Sequence, residues 1–264
     1  MELVLLYNTG TYNTLYLTTV LKNKLMDKGH NVSVFHLEKG IKIDFRKYDY
    51  VGILSNIRYR NIPPYVIELI KELDMKDKRY FVITDGGFDY KLDNKAIYNL
   101  VRELDNNNKL TNYYHVMMPA NYKKRTSDDK VKELIGNSGI ILDNVVDTFT
   151  DNKEFKVGLI DKMLLSFHDN KARRLAKNIK RYHYDRDICI KCKKCSTNCP
   201  TKNIFYNWKE KNLEFGNNCI MCMRCSFNCP VNAIYMGRLE KYKVNGKYDL
   251  YTLSTNNSSN DKKQ

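Results

Sequence analysis

The sequence has no cysteine before residue 189, a single tryptophan, five prolines and no long apolar run. A membrane-spanning helix needs about 20 consecutive apolar residues, and no stretch of the chain approaches that length. The N-terminal sequence MELVLLYNTG has no basic segment before its apolar run and no small-residue cleavage site after it. These absences predict no membrane insertion, no export and a cytoplasmic location.

Motifs that would indicate several classes of enzyme are also missing. The chain contains no G-x-G-x-x-G fingerprint for a nicotinamide dinucleotide. Its histidines show no metal-ligand spacing and no grouping that favours acid–base catalysis. They are predicted to be surface or core residues, and they are His30, His36, His115, His168 and His183.

Acidic residues are fewer than basic residues, and the formal net charge is +15. The basic residues are scattered among many Asn, Ile and Tyr residues, and no nucleic-acid-binding motif accompanies them, so we expect no nucleic-acid partner. One segment is more concentrated and is predicted to steer an acidic redox donor or acceptor protein. Its basic residues are Lys171, Arg173, Arg174, Lys177, Lys180, Arg181, Arg186, Lys191, Lys193 and Lys194.

All eight cysteines lie in two copies of one twelve-residue phrase. The first phrase is CIKCKKCSTNCP at 189–200, and the second phrase is CIMCMRCSFNCP at 219–230. Both have the spacing C-x2-C-x2-C-x3-C-P, which resembles the cysteine run of bacterial ferredoxins in duplicate. The resemblance predicts two [4Fe–4S] clusters.

In two-cluster ferredoxins the fourth cysteine of each run ligates the other cluster. The resemblance therefore implies that the first cluster is held by Cys189, Cys192, Cys195 and Cys229. The second cluster is then held by Cys219, Cys222, Cys225 and Cys199. Neighbouring apolar residues, Ile188 and Ile190 among them, are expected to keep water away from the clusters.

Two other uses of the cysteines remain as alternatives. Structural zinc also favours paired C-x2-C, but it normally takes two such pairs with a longer spacer between them. Disulfides are rare in a reducing cytosol. Zinc leaves the third cysteine and the trailing Cys-Pro of each phrase unexplained.

The first half of the chain alternates short apolar runs with helical patterns, which is typical of a doubly wound parallel α/β sheet. The predicted strands are Leu3–Tyr7, Val32–Leu37, Tyr50–Leu54, Tyr80–Thr84 and Tyr113–Met117. The predicted covering helices are Thr14–Lys28, Pro64–Leu73 and Asn94–Leu104, because their apolar residues recur at three- and four-residue spacing.

The remaining pattern divides the chain into units. A helical region is predicted from Ser127 to about Tyr182, with breaks at Gly136–Gly139 and Asp151–Lys153. We expect a first domain at 1–170 with a helical extension to about 182, then a small α+β two-cluster domain at 183–240. The polar residues 253–264 are predicted to form a disordered tail.

The segment YNTGTYNT at 7–14 follows the first predicted strand and opens the first predicted helix. Hydroxyls and backbone N–H groups at such a junction bind phosphate, helped by the helix dipole. The predicted phosphate ligands are Thr9, Thr11 and Thr14, with the backbone around Gly10 and Asn13. The alternative is an ordinary capped turn.

These features together resemble the family of short-chain flavodoxin domains fused to a C-terminal two-cluster ferredoxin, often labelled EFR1. The resemblance covers roughly residues 1–240. Besides the cysteine phrases it includes the loop at 9–14, the segment MPANY at 118–122 and Trp208 between the phrases. The second glycine of the flavodoxin phosphate loop is replaced by Tyr12, which would be strained if the position requires a positive φ.

The resemblance implies that the first domain binds FMN. Two loops lie where flavodoxins hold the flavin ring, one after the third strand and one after the fourth. The first supplies Ser55, Asn56 and Tyr59. The second supplies Gly86 and Gly87, whose backbone is expected to approach the polar edge of the ring, and the stacking candidates Phe88 and Tyr90.

The favoured hypothesis is an electron-transfer protein that relays electrons between two [4Fe–4S] clusters and FMN. In a second hypothesis the first domain has lost FMN, as Tyr12 suggests, and serves only to dock partners. A third is a flavin-dependent oxidoreductase acting on a small substrate. The missing nicotinamide and acid–base motifs favour a component of a redox system over a stand-alone enzyme.

Overall fold

A computed structural model describes residues 1–58, 60–87, 93–104, 107–120, 126–177 and 182–236, together with 248 and 250. Tyr59, Phe88 and Tyr90, three of the predicted flavin contacts, lie outside the described residues, as do Asn121 and Tyr122 and the predicted tail at 253–264.

A five-stranded parallel sheet forms the centre of the larger unit. Its strands are β1 (Glu2–Asn8), β2 (Asn31–His36), β3 (Tyr50–Asn56), β4 (Arg79–Gly86) and β5 (Lys109–Met117). They are arranged in the order β2-β1-β3-β4-β5, with every neighbouring pair parallel. This is the flavodoxin-like order of doubly wound sheets, so the predicted fold class is confirmed.

Helices cover both faces of the sheet. They are α1 (Asn13–Asp27), α2 (Pro64–Lys71), α3 (Tyr98–Glu103) and α4 (Asp128–Thr148). One apolar core packs α1 and α4 on one face, through Leu17 and Val145, and a second packs α2 and α3 on the other, through Val66 and Leu100. The predicted helix at 94–104 begins as a 3₁₀ helix, Asp93–Ile97, before α3.

The predicted break at Gly136–Gly139 is wrong, because α4 runs through it without interruption. Leu134, Ile135, Ser138 and Leu142 form a buried stripe along this segment. Tertiary packing of that stripe outweighs the cost of about 1 kcal/mol that glycine brings to a helix interior. The second predicted break is present, since α4 ends at Thr148 and the next helix, α5 (Leu159–Lys177), begins only at Leu159.

The described part of the smaller unit contains two antiparallel two-stranded sheets and two short helices. Strand β6 (Tyr182–Tyr184) pairs with β9 (Ile234–Met236), and β7 (Ile204–Asn207) pairs with β8 (Asn212–Phe215). The helices α6 (Lys194–Thr197) and α7 (Arg224–Phe227) occupy equivalent places in the two phrases. Each follows a residue with positive φ, Lys193 at 60° and Met223 at 64°, so the repeated sequence folds into a repeated structure.

After the second phrase the chain returns to the larger unit. The Tyr248 hydroxyl accepts a hydrogen bond from the Thr126 backbone N–H and donates one to the Ala120 carbonyl oxygen. Leu250 is buried in the core beside α4. None of the helices in the described ranges is long and apolar enough to cross a membrane.

Candidate functional site

The phosphate loop, residues 9–14, lies at the carboxyl edge of the sheet, where doubly wound folds bind ligands. It connects the end of β1 at Asn8 to the start of α1 at Asn13. Tyr12 adopts a left-handed conformation with φ of 68°, so the loop does place a residue other than glycine at a positive φ. A tyrosine in that conformation carries roughly 1 kcal/mol or more of strain.

Two side chains of the loop are engaged inside the protein. The Thr14 hydroxyl donates a hydrogen bond of 2.6 Å to the Asp85 carboxylate at the end of β4. The Asn13 side-chain amide donates to the Pro119 carbonyl oxygen at 2.9 Å. Thr14 and Asp85 are both buried. A hydroxyl has one proton to donate, so Thr14 does not offer it to a phosphate in this arrangement.

Burial raises the pKa of Asp85 to about 6, and the hydrogen bond from Thr14 opposes part of that rise. A carboxylate with a raised pKa in the folded state binds more protons there than in the unfolded chain. Stability therefore falls as the pH rises from about 4 to about 6, and the whole penalty is present above pH 6.

We expect Asp85→Asn to stabilise the protein at pH 8, because it removes the buried charge while keeping an oxygen to accept from Thr14. The rise in the pKa of Asp85 corresponds to about 1–3 kcal/mol of free energy of unfolding. Apparent Tm values at pH 5 and pH 8, followed by circular dichroism, should show a gain that is larger at pH 8. The exposed control Asp129→Asn should show no such dependence, and an equal gain at both pH values would contradict this account of Asp85.

The other described flavin candidates occupy the same edge of the sheet. Ser55 is fully buried and its hydroxyl donates to the Asn56 carbonyl oxygen. A Cβ added at Gly86 would lie 3.0 Å from Ile57, and one added at Gly87 would lie 3.2 Å from Ala120. Gly86 therefore permits close packing against the loop after β3, and Gly87 permits it against the segment after β5.

The second phrase borders a small cavity that is partly open to solvent. Three of its cysteines, Cys219, Cys222 and Cys225, line this cavity together with Cys199 of the first phrase. The four residues that the crossed assignment gives to the second cluster therefore line one cavity. Within the described residues, no group of three or more His, Cys, Asp or Glu side chains is close enough together to hold a metal ion. Apolar neighbours, Ile204 and Phe215 among them, also line the cavity and keep it poor in polar groups.

Burial and hydrogen bonding act on these thiols in opposite directions. Burial raises the pKa of Cys219 to about 11 and that of Cys225 well above its usual value, and nearby cysteines add to the rise. Backbone N–H groups point at sulfur, from Asn203 to Cys199 Sγ at 3.2 Å and from Met221 to Cys219 Sγ at 3.2 Å. Such bonds stabilise thiolates and tune the potential of a bound cluster.

The cysteines assigned to the first cluster differ in exposure. Cys195 and Cys229 are buried, Cys189 is half-buried and Cys192 is exposed. Ile204 and Ile234 near the cysteines are buried, whereas Ile188 and Ile190 are 41% and 60% exposed. The two exposed isoleucines extend outward from the start of the first phrase, and this edge of the small unit faces solvent.

The second phrase also lies directly against the phosphate loop. A Cβ added at Gly10 would lie 1.7 Å from the Cys222 carbonyl oxygen, so only glycine allows this backbone contact. The Tyr12 hydroxyl donates to Asn228 Oδ1 at 3.0 Å, and the Tyr12 ring packs edge-on against Phe227 with centroids 5.2 Å apart. Tyr12 therefore contacts the small unit and does not cover the phosphate loop.

Arg224, the residue before Cys225, provides a further link between the units. Its guanidinium donates to Glu38 Oε1 at 3.0 Å and to the Thr9 carbonyl oxygen at 3.3 Å, and it lies 3.1 Å from His36 Nε2. Burial and Arg224 lower the pKa of His36, while Glu38 raises it. The sequence patterns missed these residues, because no spacing rule connects positions so far apart in the chain.

Comparison with known families decides the nature of the small unit. Residues 188–234 match the family described as the 4Fe-4S dicluster domain. The protein joins a flavodoxin-like fold to a 4Fe-4S dicluster domain. The match confirms the prediction of two [4Fe–4S] clusters and makes zinc and disulfides unnecessary as explanations of the cysteines.

Several solved structures of flavodoxins are similar to the chain. The flavodoxin of Streptococcus pneumonia TIGR4 is 15% identical, with 56% of this chain and 97% of that chain covered and a TM-score of 0.40. A flavodoxin from the domain Archaea is 13% identical over 56% of this chain and 99% of that chain, with a TM-score of 0.35. A search of curated proteins finds no match.

The phosphate loop fits FMN in part. Thr9, Thr11 and the N–H groups that open α1 are the kinds of donor that hold a phosphate at a helix start. Arg224 adds a positive charge beside Thr9. Thr14 is engaged with Asp85, whose ionised form opposes an anion. Of the three predicted hydroxyls, that of Thr14 is therefore committed to a bond within the protein.

Proposed function

We propose that this protein relays electrons between two [4Fe–4S] clusters and an FMN held by the flavodoxin-like unit. One observation carries the proposal: Cys222, a ligand assigned to the second cluster, is in backbone contact with Gly10 of the phosphate loop. A relay needs such proximity, because electron transfer slows steeply as the distance between two centres grows. FMN supplies a centre that couples one-electron clusters to a two-electron reaction.

The contacts between the units give the relay an order. The second phrase carries the residues that touch the phosphate loop, among them Cys222, Arg224 and Phe227. The cluster assigned to Cys219, Cys222, Cys225 and Cys199 is therefore the inner one. The other cluster, with its exposed ligand Cys192, is the outer one and exchanges electrons with partners.

In this proposal Thr9, Thr11 and the first N–H groups of α1 hold the FMN phosphate. Arg224 keeps the small unit in place by bonding to the Thr9 carbonyl oxygen and to Glu38. A cytoplasmic location is part of the proposal, because all eight cysteines must stay reduced to ligate the clusters.

A second candidate function is a ferredoxin-type carrier whose flavodoxin-like unit only docks proteins. The engagement of Tyr12 with Asn228 and of Thr14 with Asp85 favours it, since both residues serve contacts within the protein. FMN binding separates the two candidates.

We expect the full chain to bind FMN and Thr11→Ala to weaken that binding. Losing a hydrogen bond to a charged phosphate costs about 1.5–3 kcal/mol, or roughly tenfold to more than a hundredfold in affinity. Quenching of FMN fluorescence under anaerobic conditions measures the affinity.

Two controls make this measurement specific. Riboflavin lacks the phosphate, so it should bind more weakly than FMN and be nearly indifferent to Thr11→Ala. Thr19→Ala removes a hydroxyl that donates to the Leu15 carbonyl oxygen within α1, away from the loop, and it should leave FMN affinity unchanged. If wild-type protein shows no saturable quenching, the docking candidate is the better one.

A further inference from the structure

An open cavity of about 430 Å³ lies beside Cys189, a ligand assigned to the outer cluster. Basic side chains dominate its charged lining, with Arg186, Lys191 and Lys211 against the single acid Glu210. The three basic residues are exposed. The cavity therefore presents positive charge at the outer cluster and opens to solvent.

An aromatic surface continues from this cavity. Tyr206 lines the cavity and packs edge-on against Trp208, with ring centroids 5.0 Å apart. Lys193 Nζ lies 3.4 Å from the centre of the Trp208 ring. Trp208 is 72% exposed, an unusual degree for so large an apolar side chain. Aromatic residues such as Tyr and Trp are enriched at protein–protein interfaces, whose rims are polar and exposed.

The two features form one surface, which we call the basic face and define as Arg186, Lys191, Lys193, Tyr206, Trp208 and Lys211. Arg186, Lys191 and Lys193 of this face belong to the basic segment predicted from sequence. The other basic side chains of that segment that the structure describes are Arg174 and Lys194. The basic face adds Tyr206, Trp208 and Lys211, which that segment did not contain. The remaining basic side chains of the segment lie outside the described side chains.

We propose that the basic face docks an acidic protein that carries single electrons and donates them to the outer cluster. Charge complementarity selects the partner: its carboxylates meet Arg186, Lys191 and Lys211, and an apolar side chain meets Trp208. One electron leaves the partner, whose centre is oxidised by one unit, and enters the outer cluster, which is reduced by one unit. No proton and no further reactant is required.

This inference rests on the proposed electron-transfer function, which needs the outer cluster, but it does not depend on FMN. Charged groups at the rim of an interface act mainly on the rate of association. The basic face should therefore accelerate electron transfer from an acidic donor at low salt and have little effect on a small donor that needs no docking.

The test uses an acidic [2Fe–2S] ferredoxin as the protein donor and reduced methyl viologen as the small donor. Stopped-flow bleaching of the cluster absorbance measures the second-order rate constants across a range of salt concentrations. The double variant Lys191→Glu with Lys211→Glu should lower the rate with the acidic ferredoxin about 10- to 100-fold at low salt. The rate of the double variant with the acidic ferredoxin should also depend less on salt concentration. Its rate with methyl viologen should equal that of the wild-type protein.

The matched control is Lys47→Glu with Lys109→Glu, which makes the same change of charge. Lys47 precedes β3 and Lys109 begins β5, so both exposed residues lie at the edge of the sheet away from the phosphate loop. An equal loss of rate in the control pair would overturn the proposal in favour of a general effect of net charge. An unchanged rate in the Lys191 and Lys211 pair would overturn it outright.

Binding can be measured apart from electron transfer, because Trp208 is the single tryptophan of the chain. A tryptophan-free, glutamate-rich peptide should change the Trp208 fluorescence of wild-type protein, and the Lys191 and Lys211 pair should abolish the change. If methyl viologen fails to reduce the clusters while the peptide still binds, the relay fails and the docking surface stands. No fluorescence response in wild-type protein would contradict the docking surface itself.

Discussion

Replacing Cys199 and Cys222 together by alanine is expected to leave one intact four-iron cluster. Replacing Cys199 and Cys192 together is expected to leave none. The crossed assignment makes Cys199 a ligand of the inner cluster, beside Cys222, and the structure places both on one cavity. The first pair therefore removes two ligands from a single cluster and spares the other. The second pair removes one ligand from each.

Iron and labile sulfide, measured after anaerobic purification, should be about eight of each per chain in wild-type protein and about four in the Cys199 and Cys222 pair. Electron paramagnetic resonance of the reduced proteins counts the four-iron clusters that remain intact. If each phrase instead held its own cluster, the two double variants would exchange their results. Alanine is chosen because a serine oxygen can replace a thiolate as a ligand.

Gly10→Ala is expected to separate the two units. The added Cβ would lie 1.7 Å from the Cys222 carbonyl oxygen and 2.8 Å from its carbonyl carbon. Both are backbone atoms, so no rotamer change relieves the overlap and the contact must open. The hydrogen bond from Tyr12 to Asn228 and those of Arg224 depend on the same contact and should be lost with it.

Small-angle X-ray scattering should show a larger radius of gyration for Gly10→Ala, and the backbone amides of residues 222–224 should exchange hydrogen faster. Electron transfer between the inner cluster and bound FMN should slow. Gly139→Ala is the matched control, since an added Cβ meets nothing within 4 Å there. Because residue 139 lies in the interior of α4, Gly139→Ala should stabilise the protein by about 0.5–1 kcal/mol. Unchanged scattering in Gly10→Ala would show that the units are not held together by this contact.

Much of the fold could be predicted from sequence because its signals are local. The apolar run of β1 is a few residues long and is bounded by turn residues, and β1 was predicted to within one residue at either end. The start of α2 follows from Pro63 and Pro64, since proline is tolerated in the first turn of a helix. The break predicted at Gly136–Gly139 failed because packing of α4 against the sheet outweighs the low helix propensity of glycine.

The metal site was predictable for a similar reason. Three cysteines at intervals of three, followed by Cys-Pro, encode the ligand geometry within twelve residues. The phosphate loop was predictable in position, at the junction of β1 and α1, but not in its bonds. The Asp85 carboxylate that accepts the hydrogen bond from the Thr14 hydroxyl comes from another strand, 71 positions along the chain.

The sequence alone predicted the parallel α/β sheet and the 4Fe-4S dicluster domain that contains the two cysteine phrases, because periodicity and spacing reflect geometry within an element. Only the tertiary structure decided what the phosphate loop touches. Tyr12, which looks like a defect in a flavodoxin loop, contacts Asn228 across 216 positions, and Gly10 is needed because Cys222 lies against it. No local pattern encodes such contacts, since they depend on how two separately folded surfaces pack together.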